Sequence, residues 1–341
     1  MTDRPPSSSR QVILPAQTYV DGIRARDRAM LARAITLVES TRPAHEAPAQ
    51  EVLLTLLPET GRSIRIGISG APGVGKSTFI ETFGHHLLDA GHRLAVLAVD
   101  PTSPRTGGSV LGDKTRMPRL SQDARAFIRP SPTAGTLGGV ARRTREAMLL
   151  CEAAGFDVVL IETVGVGQSE TTVAGMVDFF LVLLLATAGD ELQGIKRGIL
   201  EVADLIAINK VDSEPAAVVT RAMADYRQAL RIVHGTGDPH RLRVVGCSGL
   251  TGQGLDAIWQ AILSATEEGR QRGTLAARRA RELVTWLWDT TETALLTSLH
   301  EAPDVVAIKD AVEADVRAGR LTPALGAARL LEAHRRDPRR R

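Results

Sequence analysis

Short apolar runs alternate with helix-length segments through the central part of the chain, from Ser63 onward. Six such runs are Ile64–Ile68, Leu94–Val99, Val158–Ile161, Phe179–Ala186, Leu205–Ile208 and Leu242–Val245. They are continuous rather than alternating, as expected for strands that are buried on both faces of a parallel sheet. The segments between them have room for crossover helices at Lys76–Ala90, Leu137–Ala154, Ala216–Val233 and Gly254–Thr266. The pattern predicts an α/β fold with a doubly wound, mostly parallel sheet.

Helical patterns flank this central region on both sides. Apolar residues recur at helical spacing between Tyr19 and Val38, and a second helix is predicted over Ala44–Leu57. After about residue 270 the strand pattern stops, and three helices are predicted over Leu275–His300, Pro303–Ala318 and Pro323 to near His334.

The predicted organisation is an N-terminal helical extension (1–60), an α/β domain (61–270) and a C-terminal helical region (271–341). Two interpretations of the C-terminal helices stay open. They are either a cap on the sheet or a dimerisation arm whose apolar faces a second copy covers.

Composition excludes several classes of protein. Of the 341 residues 43% are apolar and 24% charged, which is the balance of a folded globular chain rather than a disordered one. Cys151 and Cys247 are too few for a disulfide scaffold and fit a reducing cytosol.

Charge and hydropathy exclude further classes. The longest apolar run, Phe179–Ala186, is too short to cross a bilayer, and residues 1–10 resemble neither a signal nor a transit peptide. A net charge of +3 with 3% aromatic residues argues against nucleic acid as a partner. We therefore expect a cytoplasmic protein that binds neither nucleic acid nor membranes.

A phosphate-binding loop follows the first predicted strand and opens a helix. It matches G-x-x-x-x-G-K-[ST] over Gly70, Ala71, Pro72, Gly73, Val74, Gly75, Lys76 and Ser77. Thr78, the next residue of the helix, is included in the predicted site. The glycines let backbone N–H groups surround an anion, and the positive end of the helix dipole faces the same point. Lys76 reaches the β- and γ-phosphates, and Ser77 offers an oxygen to Mg²⁺.

A guanine-recognition motif closes a later strand, at Asn209-Lys210-Val211-Asp212. A carboxylate accepts two hydrogen bonds from guanine, whereas adenine would leave a buried Asp212 unpaired, at a cost of about 1–3 kcal/mol. Ser248, Gly249 and Leu250 follow the last strand, where a loop N–H usually meets the guanine carbonyl. Together with the phosphate loop, this series predicts that the nucleotide is GTP or GDP.

Acidic residues follow two of the predicted strands at the same edge of the sheet. Glu162 ends an apolar strand, where a Walker B acid binds Mg²⁺, and Gly165 is placed to donate its N–H to the γ-phosphate. Asp100 ends another strand, and Asp113 follows in a glycine-bounded loop. Two alternatives stay open. Glu162 could only cap a helix, and Asp100 and Asp113 could pair with nearby arginines.

From these positions we expect two overlapping sets of functional residues. The catalytic set is Lys76, Glu162 and Asp100, and the Mg²⁺ ligands are Ser77, Asp100, Asp113 and Glu162. A transition-metal site is not expected. The adjacent His85 and His86 do not share a helix face, and there is no C-x-x-C or histidine-rich tract.

These motifs together resemble one family, the MeaB/ArgK/MMAA GTPases. The resemblance is carried by the phosphate loop, by runs that begin at Val99 and at Ile161, by the loop from Ala188 to Lys196, and by Asn209–Asp212. Gly249 departs from the pattern, since GTPases usually have alanine there. We expect this departure to matter little, because the backbone makes the contact.

The resemblance implies a P-loop GTPase that acts as a chaperone of adenosylcobalamin-dependent acyl-CoA mutases, above all methylmalonyl-CoA mutase. In this family GTP hydrolysis gates cofactor loading and protects the mutase. It also implies a homodimer formed through the C-terminal helices, and switch loops at Asp100–Arg116, Glu162–Glu170 and Asp190–Lys196.

Two rival functions stay open. A metallochaperone GTPase for nickel enzymes shares the scaffold, and the missing Cys/His cluster argues against it. An ATP-driven kinase or energiser of amino-acid transport is an old label for some relatives, and Asn209–Asp212 argues against ATP.

Overall fold

Seven strands form one parallel sheet within the residues that the computed structural model describes, which are 13–99, 117–130, 137–163, 169–187, 197–235 and 243–336. The strands are β1 (Ile64–Gly70), β2 (Leu94–Val99), β3 (Ala126–Pro130), β4 (Val158–Thr163), β5 (Phe179–Leu185), β6 (Leu205–Asn209) and β7 (Val244–Gly246). Their order is β3-β2-β4-β1-β5-β6-β7, and every neighbouring pair is parallel. The predicted doubly wound parallel fold is confirmed.

Helices precede, connect and follow these strands. Those before and within the sheet are α1 (Ala16–Arg24), α2 (Arg28–Val38), α3 (Pro43–Leu56), α4 (Lys76–Asp89), α5 (Leu137–Ala153), α6 (Ser169–Ala174), α7 (Arg197–Val202), α8 (Ala216–His234) and α9 (Leu255–Gln271). The last three are α10 (Thr274–Glu301), α11 (Pro303–Arg317) and α12 (Pro323–Arg336).

The core lies on both faces of the sheet. On one face, α1, α2, α3, α5 and α8 cover the side chains of alternate strand positions such as Leu97, Ile161 and Val182. On the other, α4 and α9 pack Phe83 and Trp259 against the remaining positions. Burial on both faces explains why the strands are continuously apolar.

Two features of the fold differ from the sequence prediction. The N-terminal pattern from Tyr19 to Val38 forms two helices rather than one, because Arg26 has φ of 60° and Asp27 caps α2 through hydrogen bonds from Ala29 N and Met30 N. Strand β3 was not predicted. It is short, lies at the sheet edge and ends in Arg129-Pro130. A search for continuous apolar runs therefore misses it.

The chain divides into two compact units, residues 1–280 and 281–341. In the second unit α11 and α12 pack closely at Gly326, where an added Cβ would lie 3.1 Å from Val316 Cγ2 and 3.3 Å from Val312 Cγ1. The predicted domain boundaries near residues 60 and 270 stay predictions.

Buried ion pairs at the amino edge of the sheet connect the first strand to later elements. Arg65 in β1 forms an ion pair of 2.7 Å with Glu152 of α5, and its backbone N–H donates to Asp178 just before β5. The Asp178 carboxylate also accepts a hydrogen bond of 2.7 Å from Arg279 Nε, and Arg279 donates a second one to the carbonyl of Ser63. Only 2% of the Asp178 side chain is exposed, so its charge depends on these donors.

We predict that Asp178→Ala strongly destabilises the protein. The substitution leaves the Arg279 guanidinium with backbone carbonyls but no counter-charge, and it leaves the Arg65 N–H without its acceptor, so the free energy of unfolding should fall by about 3–5 kcal/mol. Urea unfolding followed by circular dichroism measures it. The matched control is Glu59→Ala, which removes the far more exposed pair with Arg24 and should leave the unfolding midpoint nearly unchanged. Equal, small effects of both substitutions would contradict the role assigned to Asp178.

Candidate nucleotide-binding site

The phosphate-binding loop joins β1 to α4 in the predicted place. Gly73 and Gly75 have φ of 81° and 93°, in the left-handed region that glycine tolerates. Helix α4 begins at Lys76, so its first N–H groups and its positive dipole end face the loop. The Lys76 ammonium lies inside the loop and donates to the carbonyl of Gly70 at 2.6 Å. Loop and helix together form an anion-binding cradle.

The predicted metal ligands are described only in part. Ser77 is half-buried in the first turn of α4. Glu162 lies near the end of β4, opposite Ile68 of β1, and is only 5% exposed. The next residue, Thr163, donates to the Ser69 hydroxyl at 2.9 Å and so connects the ends of both strands. Asp100, Asp113 and Gly165, with the loop 190–196, lie outside the described residues.

Asn209, at the end of β6, connects two loops through its side-chain amide. It is 2% exposed. Its Nδ2 donates to the carbonyl of Val74 in the phosphate-binding loop, at 2.9 Å, and its Oδ1 accepts the N–H of Gly249, also at 2.9 Å. The residue expected to help select guanine therefore also fixes the phosphate-binding loop against the loop after β7.

The two other motif residues differ in their surroundings. Lys210 has φ of 63° and its ammonium donates to the carbonyl of Gly73 at 2.9 Å, a second contact between this motif and the phosphate-binding loop. Asp212 is exposed and has no hydrogen-bond or ion-pair partner among the described residues. The Asp212 carboxylate is thus solvated in the protein itself, and its burial against a bound guanine stays a prediction.

The loop after β7 is held by a set of short-range hydrogen bonds. The Ser248 hydroxyl accepts the N–H groups of Leu250 and Thr251, and Ser248 N donates to the carbonyl of Gln253. The Gly249 carbonyl accepts the hydroxyl of Thr82, a residue of α4 that the sequence analysis did not single out. No sequence signal identifies Thr82, because the contact joins residues far apart in the chain.

The glycine at position 249 is required by packing, which corrects the expectation that it matters little. An added Cβ would lie 2.8 Å from Phe79 Cα and 2.9 Å from Phe79 N, both backbone atoms of α4. Alanine would therefore push this loop away from α4.

Cys247 lies beside Asn209, and its thiol donates to Asn209 Oδ1 at 3.7 Å. Burial raises the pKa of the Cys247 thiol to about 12, so it is neutral at physiological pH and does not act as a nucleophile. His85 lies 3.8 Å from Glu81, and His86 lies 3.6 Å from Asp256, so the adjacent histidines face different acids. Among the described ranges, no group of three or more His, Cys, Asp or Glu side chains is placed to hold a metal ion.

No helix in the described part of the chain is both long and apolar enough to span a membrane.

Comparison with known proteins identifies relatives along most of the chain. GTPase ArgK of Escherichia coli is 50% identical over 282 residues, which are 83% of this chain and 85% of that protein. The mitochondrial methylmalonic aciduria type A homolog of Mus musculus is 45% identical over 331 residues, 93% of this chain and 80% of that protein. A crystal structure described as a LAO/AO transport system kinase is 40% identical, with a TM-score of 0.75, and the match covers 94% of this chain and 99% of that one.

A family model described as "Methylmalonyl Co-A mutase-associated GTPase MeaB" matches residues 31–304. That range contains the phosphate-binding loop, Glu162, Asn209–Asp212 and the loop after β7. The fold and the relatives agree with this match, and they identify an enzyme that binds guanine nucleotide and hydrolyses GTP. The chain belongs to the MeaB family of methylmalonyl-CoA mutase-associated GTPases.

Proposed function

We propose that this GTPase is a chaperone of an adenosylcobalamin-dependent acyl-CoA mutase, most specifically methylmalonyl-CoA mutase, and that GTP hydrolysis gates cofactor loading and protects the mutase. The observation that carries the proposal is the family match over residues 31–304, since that family is named for its association with this mutase. Residues 61–270 are the nucleotide-binding domain between the helical extensions 1–60 and 271–341. We also propose a cytoplasmic location, which the two free thiols Cys151 and Cys247 support.

The proposed nucleotide site extends along the carboxyl edge of the sheet. The residues of the phosphate-binding loop, 70–78, hold the phosphates, with Gly165 at the γ-phosphate. Asn209, Lys210 and Asp212 hold the base from one side and the loop 248–250 from the other. This assignment is supported by the hydrogen bonds from Asn209 and Lys210 to the carbonyls of Val74 and Gly73, which keep the base-binding and phosphate-binding segments together.

Magnesium is proposed as the metal partner of the nucleotide. Ser77 and Glu162 offer a hydroxyl and a carboxylate, the hard oxygen donors that Mg²⁺ takes alongside nucleotide phosphates. The burial of Glu162 beside the end of β1 supports this fit, because a buried carboxylate is stabilised by a nearby cation. Asp100 and Asp113 complete the proposed ligand set. The bound ion supplies charge neutralisation at the phosphates.

The sequence after Glu162 suggests slow turnover by the isolated protein. Ras-like GTPases use a glutamine directly after the D-x-x-G glycine to orient the attacking water. Val166 follows Gly165 here, and a valine side chain does not hydrogen-bond to water. A partner that completes the site would therefore accelerate hydrolysis.

A second candidate function is ATP-driven, kinase-like energising of transport, which the similarity to the crystal structure of a LAO/AO transport system kinase favours. Asn209–Asp212 argues for guanine and against this candidate. Base selectivity separates the two functions.

We predict that Asp212→Asn weakens GTP binding and increases the affinity for xanthosine triphosphate, whose oxo group replaces the exocyclic amine of guanine. Loss of a charged hydrogen bond, desolvated once the base is bound, costs about 1.5–3 kcal/mol, or roughly 10- to 100-fold in Kd. Isothermal titration calorimetry with both nucleotides measures the change. Asp225→Asn, at a position on α8 outside the motif, is the matched control and should keep GTP affinity. Equal ATP and GTP affinity of the unmodified protein would refute guanine selectivity.

The partner proposal predicts stimulated turnover. Single-turnover GTP hydrolysis should be at least tenfold faster with purified methylmalonyl-CoA mutase, which corresponds to about 1.4 kcal/mol of barrier. Lys76→Ala is the control: it removes the phosphate-binding ammonium and should abolish hydrolysis with and without the mutase. A fast free protein with no response to the mutase would contradict the chaperone proposal.

A homodimer through the C-terminal helices is the third part of the proposal. Six large apolar side chains on the part of α10 that lies in the second unit are more than half exposed. They are Leu283, Val284, Leu287, Trp288, Leu295 and Leu296. Their spacing places most of them along one stripe of the helix. An apolar stripe of this kind is typical of a helix that packs against another chain.

We predict that Leu287→Arg combined with Trp288→Arg converts the dimer to a monomer. Each central apolar anchor contributes about 2 kcal/mol or more to association, roughly thirtyfold in Kd. Light scattering coupled to size-exclusion chromatography measures the mass. Leu54→Arg, which changes an equally exposed leucine on α3, should leave the dimer intact. A monomeric unmodified protein at micromolar concentration would contradict this prediction.

A further inference from the structure

Thr82 is placed to act on the loop after β7 although it lies in the middle of α4. Its hydroxyl oxygen lies 2.5 Å from the carbonyl oxygen of Gly249 and 3.2 Å from that of Thr78 in the preceding helical turn. A threonine hydroxyl has one proton to donate, and the shorter distance assigns that proton to Gly249. The contact joins the helix that carries Lys76 and Ser77 to a loop of the proposed base site.

The peptide groups on either side of Gly249 are held from opposite directions. The N–H donates to Asn209 Oδ1 at 2.9 Å, while the carbonyl accepts the Thr82 hydroxyl. The backbone of Phe79 approaches so closely that no Cβ fits at position 249. Gly249 is buried, so neither polar group has water as a ready substitute. The position of this backbone segment therefore depends on both hydrogen bonds.

We propose that Thr82 is a positioning residue for guanine selectivity. By fixing the Gly249 carbonyl to α4, it sets the distance between the phosphate-binding loop at the start of that helix and the segment 248–250 beside the base. Thr82 acts through Gly249 and is not itself a ligand of the nucleotide. This inference rests on the proposed nucleotide site, in which residues 248–250 face the base.

The test compares Thr82→Val, which keeps the shape but removes the donor, with Thr82→Ser, which keeps the donor. Thr55→Val is the matched control, because the exposed Thr55 donates only to the carbonyl of Glu51 within its own helix. Dissociation constants for GTP and ATP are measured by competition with a fluorescent guanine nucleotide in the presence of Mg²⁺. Steady-state kcat and KM for GTP, and urea unfolding midpoints, are measured on the same variants.

For Thr82→Val we expect the Kd for GTP to rise about tenfold, equivalent to 1.4 kcal/mol. The Kd for ATP and kcat at saturating GTP should stay within about twofold of the unmodified protein, because phosphate contacts are untouched. Thr82→Ser and Thr55→Val should keep the full GTP preference. This pattern supports the inference, since a loosened α4 would weaken ATP and GTP binding alike.

Two results would overturn the inference. One is an undiminished GTP preference in Thr82→Val, and the other is an equal loss for GTP and ATP accompanied by a lower unfolding midpoint. Neither result would contradict the proposed guanine-binding site. Failure of the proposed site is distinguishable from them, because then the unmodified protein would already bind ATP and GTP equally.

Discussion

The side-chain amide of Asn209 makes the contact on which the geometry of the proposed nucleotide site depends. It is almost fully buried, and its two polar atoms are satisfied by the Val74 carbonyl and the Gly249 N–H. Leaving either buried group unpaired would cost about 1–3 kcal/mol, so the two loops do not separate easily. One side chain thus couples the phosphate-binding loop to the loop after β7, the two segments of the proposed nucleotide site.

The parallel sheet brings these segments together in the first place. Because the seven strands of the described residues run the same way, the carboxyl ends of β4, β1, β6 and β7 lie at one edge, with helices covering both faces. Ligands of such sheets bind at this edge. At the opposite edge, the buried ion pairs of Asp178 and Glu152 connect β1 to α5, β5 and α10. The scaffold is therefore fixed by ion pairs at one edge, and the proposed nucleotide site lies at the other.

The buried strands and the phosphate-binding loop could be predicted because their signals are local: a continuous apolar run such as Leu94–Val99, or a glycine pattern before Lys76. Strand β3 could not, because an edge strand needs little apolar surface and tolerates Arg129-Pro130. The sequence also does not predict the Thr82–Gly249 contact or the steric need for glycine at position 249. Both arise from a close approach between distant segments, which only the packed structure defines.

Hydrogen exchange followed by mass spectrometry, with Asn209→Ala compared against the unmodified protein, tests the coupling of the two loops most directly. Peptides covering residues 70–78 and 247–253 report on the phosphate-binding loop and on the loop after β7. The substitution should speed exchange in both peptides while leaving the core strand Val158–Thr163 protected. Unchanged exchange in either peptide would contradict the claim that Asn209 holds the two loops together.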